Sequence, residues 1–204
     1  MFPDIARDDV FRLETVRLWL RWPRASDAAA VQRYSSQWAV AQFTAHIPHP
    51  YPPGTAERFI FAARAANASG RELTLVIATQ AGKQEVVGAI SLQGRGVDRL
   101  TLGYALSPEA WGRGYGSEAV EAMVNAAFTL TPCVEINVDV RTENPASRRV
   151  LEKNGFSHVS TGLQGAPARG GLVACDRMQL KRPAWTSLRE ARLEASRKLS
   201  GATT

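Results

Sequence analysis

Three glycines, Gly112, Gly114 and Gly116, stand at alternate positions directly ahead of a segment whose apolar residues fall at helical spacing. Glycine tolerates positive φ and lets a ligand come close to the backbone. The first N–H groups of a helix lack internal acceptors and carry the positive end of its dipole. Such a loop is a cradle for phosphate, and the same residues would equally serve a tight turn that only redirects the chain. Two nucleotide patterns are disfavoured by the residues present. A P-loop ends in Gly-Lys-Ser/Thr, whereas this run ends Gly116-Ser117 without lysine. A dinucleotide fingerprint needs GxGxxG and an acidic residue about 20 positions on, whereas this loop is GxGxG and Ile136 occupies that place. Further on, Asn144-Pro145 reads as a helix cap followed by proline at the first helical position, with Ser147 in the first turn. Cys133 and Cys175 form neither a CxxC pair nor a cluster with histidine, so no metal or redox site is expected and both read as free structural thiols.

The elements that must position these residues follow from periodicity. Residues 1–12 read as an irregular lead-in. Alternation of Val16, Leu18, Leu20 and Trp22 with polar or exposed positions predicts a strand over 15–22, ended by Pro23. A helix is expected from Asp27 through Tyr34, a proline-rich loop over 46–54, and a second helix from Thr55, as its cap, to about Ala66. Strands follow at Glu72–Thr79, Val86–Leu92 and Leu100–Leu106, then the glycine loop, a helix over 117–128 and a strand over 134–140. The capped helix stops at Gly155, and two last strands, 156–161 and 172–180, flank a loop over 162–171. Beyond Pro183 a peripheral helix over 186–198 and a frayed tail are expected.

Composition bounds the answer. The 204 residues, 45% hydrophobic and 22% charged, suit one globular domain with appendages rather than a disordered or disulfide-stapled chain. No apolar run approaches the roughly 18 residues a membrane helix needs, and the N-terminal residues lack the positive start and apolar stretch of a signal peptide, so a cytoplasmic protein is expected. Net charge is +6, but the 25 Lys and Arg are interleaved with 19 Asp and Glu. That distribution favours a solvated basic surface over nucleic-acid binding.

The succession strand, glycine loop, helix, strand, then Asn-Pro-Ala-Ser opening a helix that ends Leu-Glu-Lys-Asn-Gly-Phe156, resembles the GNAT superfamily of acyl-CoA-dependent N-acetyltransferases. Glu14–Leu18, Leu102–Ala119 and Glu143–Phe156 resemble its RimJ/RimL branch of ribosomal-protein N-terminal acetyltransferases, and the likeness covers roughly residues 13 to 182. The resemblance implies an α+β fold, with a mixed, mostly antiparallel central sheet flanked by helices and a short C-terminal helix appended at 183–204. It implies acetyl-CoA as co-substrate, held at its pyrophosphate by the backbone of Trp111, Gly112, Arg113, Gly114, Tyr115, Gly116 and Ser117. Arg113 is a candidate phosphate contact and is otherwise an exposed loop arginine. Tyr104, Ala105 and Leu106 occupy the place of the strand whose freed backbone pairs with pantetheine amides, and a backbone N–H at Tyr104 would steady an oxyanion. Asn144 is implied to contact the cofactor, and Ser147 to protonate the departing thiolate.

Direct attack of an amine on the thioester needs a base or a water chain. Relatives often carry Glu where this chain has Thr101. Asp98, His46 and His49 are the alternatives, and the loop from Gln42 to Gly54 is expected either to shape the acceptor pocket or to anchor itself on the core. The expected function is acetyl transfer from acetyl-CoA to a primary amine, a peptide N-terminus or a small molecule, by one or two copies of the chain. An acyl-CoA-binding module with weak or no catalysis, and a basic ribosome- or RNA-associated protein carrying Arg189, Arg192, Arg197 and Lys198, are the other readings.

Overall fold

The computed structural model describes residues 1–82, 84–96 and 98–201, with side chains of the last helix as far as Ala195. Its strands are β1 (Arg12–Glu14), β2 (Leu18–Arg21), β3 (Glu72–Thr79), β4 (Val86–Gly94), β5 (Arg99–Leu106), β6 (Glu135–Arg141), β7 (Ser157–Ala166) and β8 (Gly171–Lys181). Its helices are α1 (Ala28–Ser35), α2 (Trp38–Ala41), α3 (Thr55–Ala68), α4 (Tyr115–Leu130), α5 (Pro145–Lys153) and α6 (Arg182–Gly201). The strands form one sheet in the order β1-β2-β3-β4-β5-β6-β8-β7. Neighbours are antiparallel except β5 and β6, which are parallel. That exception has a cause in the chain, because α4 lies between the two strands in sequence and makes the crossover a parallel pair requires.

Side chains alternate along each strand, so the sheet has two distinct faces. Leu100, Leu102, Ile136 and Val138 share one face with Leu75, Ile77 and Leu92, and pack against Ala119, Val120, Met123 and Ala127 of α4. The apolar residues of α4 recur at the spacing of one helical stripe, which is why this helix lies along the sheet. On the opposite face α1, α2 and α3 gather Val31, Tyr34, Val40 and Ala56 around Ala105. Asn67 ties this layer down: its amide donates to Thr74 O at 2.8 Å, and its Oδ1 accepts from Thr74 N–H at 2.7 Å, both groups buried.

Several expectations are corrected. The lead-in is not wholly irregular: Asp4–Arg7 form a 3-10 turn, and Phe2 and Ala6 are buried in the main core. The strand expected over 15–22 is shorter, since Thr15 closes a turn onto Leu18 and pairs β1 with β2 as a hairpin. Gly54, at φ 75°, rather than Thr55, precedes the first residue of α3. The loop expected over 162–171 is mostly hairpin, its turn confined to Pro167–Arg169.

The last helix starts at Arg182, earlier than expected, because Pro183 falls in the first turn where no N–H is needed. Its Trp185 stacks on Phe128 at 5.1 Å and donates to Asn125 at 2.8 Å. The Arg182 guanidinium donates to the carbonyls of Phe128, Thr131 and Cys133 at the end of α4. The expected tail at 202–204 and the side chains of Arg197 and Lys198 lie outside the described residues.

Candidate active site

Strands β5 and β6 pair only at Arg99–Glu135, Leu100–Ile136 and Thr101–Asn137, although they continue to Leu106 and Arg141. Beyond Thr101 they diverge. The phase of the β4–β5 ladder is set by hydrogen bonds from Arg95 N–H to Arg99 O and from Ser107 N–H to Val87 O, both 2.8 Å. Odd-numbered residues of β5 therefore bond to β4, and the backbone groups of Leu102, Tyr104 and Leu106 point toward the gap. Trp111 donates its indole N–H to Leu106 O at 3.0 Å, which fastens the glycine loop to the strand end. Both strands, α5, the glycine loop and the α1–α3 layer line a single cavity of about 1430 Å³.

Gly112 and Gly114 take φ of 73° and 79°, the left-handed region that favours glycine, and Gly114 precedes α4 without a side-chain cap. A Cβ on Gly116 would stand 3.4 Å from Leu106 Cδ1 and 3.7 Å from Tyr104 Cε2, ordinary contact distances that show how closely the helix start packs on β5. Around Gly112 a Cβ would meet nothing within 4 Å, which leaves open space in front of the loop. The guanidinium groups of Arg17 and Arg113 lie 4.9 Å and 5.5 Å from the ring centre of Tyr115. An uncapped helix start beside two cations is a site for an anion.

Arg17 and Glu118 were not singled out from the sequence. Glu118 accepts from Thr15 Oγ1 at 2.6 Å, from Arg17 N–H at 2.8 Å and from Arg17 Nε at 2.7 Å, while Arg17 Nη1 donates to Arg113 O at 2.8 Å. The β1–β2 turn is thereby clamped to the glycine loop. Burial alone would raise the Glu118 carboxyl, but the bonds from Thr15 and Arg17 outweigh it and hold the group below its usual range. An acidic residue in the first turn of a helix was the available signal. The straight-strand reading of 15–22 hid the turn that brings Arg17 to it.

On the α4 face of the gap, the Tyr104 phenol and the Ser147 hydroxyl lie 2.9 Å apart. Ser147 N–H donates to Asn144 Oδ1 at 3.0 Å, so Asn144 caps α5 and fixes the turn that carries the serine. Burial pushes the Tyr104 phenol up to about 12, with the Ser147 bond pulling the other way. Both hydroxyls therefore keep their protons near neutrality and can pass one along the pair.

The remaining predicted positions scatter. Ala105 bonds through its backbone to β4 and turns its side chain toward α1–α3. Asp98 is exposed at the start of β5, outside the cavity lining, where its carbonyl accepts from Val134 N–H. His49 stacks on Trp38, with ring centres 5.2 Å apart. His46 is exposed at the cavity wall, and Thr101 lies half-buried on the cavity floor. Phe43, Ile47 and Tyr51 line the cavity, and the last two also pack on the smaller core cluster, so the loop serves as wall and anchor together. Among the described residues no group of three or more His, Cys, Asp or Glu side chains is placed to hold a metal. No helix among them is long and apolar enough to cross a membrane.

Comparison with known proteins gives this geometry a context. FsC-acetyl coenzyme A-N(2)-transacetylase of Aspergillus fumigatus is 29% identical over 45% of this chain and 43% of its own length. YoaA of Bacillus subtilis, named an N-acetyltransferase, is 38% identical over 28% of this chain and 33% of its own. The chain thus spans less than half the length of the curated relatives it matches. Among solved structures, RimL in complex with coenzyme A superposes with a TM-score of 0.74 at 17% identity, covering 85% of this chain and 99% of that one. RimJ of Mycobacterium smegmatis in complex with CoA-disulfide gives 0.72 at 22% identity, covering 89% and 93%. These two share the fold, a mostly antiparallel sheet flanked by helices. The Acetyltransferase (GNAT) domain matches residues 17–157, more than half of the sequence, and the chain belongs to that family.

Proposed function

We propose that the protein transfers an acetyl group from acetyl-CoA to a primary amine, a peptide N-terminus or a small molecule, by direct attack in a ternary complex. The observation that carries this reading is the convergence, on one cavity, of an uncapped helix start, a strand edge with free backbone groups and a pair of protonated hydroxyls. The donor set fits acetyl-CoA along its length. Backbone N–H groups from Trp111 to Ser117 would hold the pyrophosphate, with Arg113 and Arg17 as nearby positive charge. The backbone of Tyr104 and the N–H of Leu106 would serve pantetheine amides, and the Tyr104 N–H would steady a developing oxyanion. Asn144 spends its Oδ1 on the helix cap, which leaves its amide N–H groups for the cofactor.

In this reading Ser147 donates a proton to the departing thiolate and Tyr104 holds the serine hydroxyl in line. Ser147→Ala is expected to lower kcat about 100-fold while leaving the acetyl-CoA Kd within about twofold. The check is released thiol in steady state against a panel of amines, with binding measured by calorimetry. Wild-type turnover of one acceptor class supports transfer; acetyl-CoA binding with no turnover of any amine supports a binding module instead.

A further inference from the structure

We infer that Asp139 is the carboxylate that receives the acceptor's ammonium group and takes its first proton. The inference rests on the acetyl-transfer reading above and deepens it. The parallel register Thr101–Asn137 places Asp139 two residues further along β6, level with Gly103 across the gap. Gly103 puts no side chain in front of it; a Cβ there would find only Ser91 Oγ, at 3.7 Å. Odd-numbered residues of β5 and β6 face the α1–α3 layer, whereas Tyr104 and the Ser147 it touches lie on the α4 face. The hydroxyl pair and Asp139 therefore stand on opposite faces of the sheet with the gap between them. An acyl carbon seated in the gap would meet its incoming amine from one face and release its thiolate toward the other.

The other carboxylates of the cavity are placed less well. The Glu143 side chain is 72% exposed, against 32% for Asp139. Glu72 sits in the row Glu72–Gln93–Thr101, two strands from β5 and so about 10 Å away across the sheet. Asp139 is gripped from β8 by Arg177, with Nε to Oδ1 at 3.0 Å and Nη2 to Oδ2 at 3.3 Å. That two-point contact fixes the orientation of the carboxylate at the edge of the gap. The charged or titratable groups around it are Arg177 and Cys175 from β8 and Arg141 on its own strand; His46 lines the same cavity from the loop that walls it.

The step balances as follows. Asp139 takes one proton from the ammonium and passes it to solvent. The freed nitrogen pair forms the C–N bond, and the C–S bond breaks with its electron pair on sulfur. Sulfur takes the Ser147 proton, the second nitrogen proton also leaves to solvent by Asp139, and a solvent proton restores the serine hydroxyl. Ammonium and thioester thus give amide, thiol and one proton.

The test is thiol release by wild type and Asp139→Asn, across pH 6 to 10, with an amine that wild type acetylates. The expected result is a fall of about 100-fold in kcat/KM for the amine near neutrality, with acetyl-CoA affinity unchanged. The residual rate should then climb tenfold per pH unit up to the acceptor's own pKa, since only free amine reacts, and Asp139→Glu should recover part of the loss. A full wild-type rate in Asp139→Asn, or the same loss from His46→Ala instead, overturns the assignment and leaves acetyl transfer standing. Wild type that binds acetyl-CoA and acetylates no amine overturns the transfer reading, and this assignment with it.

Discussion

The two faces of strands β4 and β5 are built from contrasting residues. Toward α4 stand Ile90, Leu92, Leu100 and Leu102, all at most 1% exposed. Toward α1–α3 the same strands present Ala89, Ser91, Gln93, Thr101, Gly103 and Ala105, small or polar residues that leave the cavity open. Both faces are covered by helices, and a covered face of a sheet ordinarily carries large apolar side chains. One face holds the protein together; the other has traded packing for space. Residues that could be larger without harming the fold mark where a ligand is meant to go.

This contrast can be broken from either side. Leu102→Ala, on the packed face, should cost roughly 2–5 kcal/mol of stability by leaving a cavity, seen as a lower denaturation midpoint with kcat of the folded fraction unchanged. Gly103→Val, on the open face, should leave the midpoint nearly where it was, because the backbone there is ordinary strand and the added methyls enter free space. Its effect should appear as a KM for the amine raised about tenfold, equivalent to ~1.4 kcal/mol, with acetyl-CoA binding intact. If the same substitution instead weakened acetyl-CoA binding, the assignment of this face to the acceptor would be reversed.

A smaller effect sharpens the boundary between the faces. Glu118 is held below the usual carboxylate range, so its clamp on Arg17 is fully present above the unfolded value and is lost as pH falls through the lower folded one. Acetyl-CoA affinity should therefore hold through mildly acidic conditions and decline only below about pH 4. Glu118→Gln should bind a few-fold more weakly throughout and lack that acidic step, measured by calorimetric titration over pH.

Much of this was legible before the fold was known, where a local rule dominates. β-branched, apolar character marks β3, whose observed bounds Glu72–Thr79 coincide with those read from the sequence, and Asn144-Pro145 announces the cap of α5 by residue type alone. What escaped depends on contacts distant in sequence. Arg17 meets Glu118 101 residues away, and the Arg177 grip on Asp139 spans 38. Neither pair leaves a periodic trace. The β7–β8 hairpin was obscured differently: β7 is exposed along nearly its whole length, so burial imposed no alternation on its residues, and their Gly, Ala and Pro content read as loop. Asp139 lay unnoticed because in a strand of alternating type a polar residue looks like the solvent side. Only the register shows that this side borders the gap.

The gap itself has a consequence for how the molecule lives among other chains. Unpaired strand edges at the rim of a sheet invite any extended segment of another protein, and so promote aggregation. Here the free backbone of Tyr104 and the N–H of Leu106 lie inside the sheet, between two strands that remain joined at Thr101 and Asn137. The notch tapers to that junction, and the glycine loop and Ser147 stand at its open end. A slender ligand with amides along its length can use the edge, whereas another protein's strand, with side chains on both faces, is too broad to enter. The protein keeps a sticky edge for its chemistry without offering it to its neighbours.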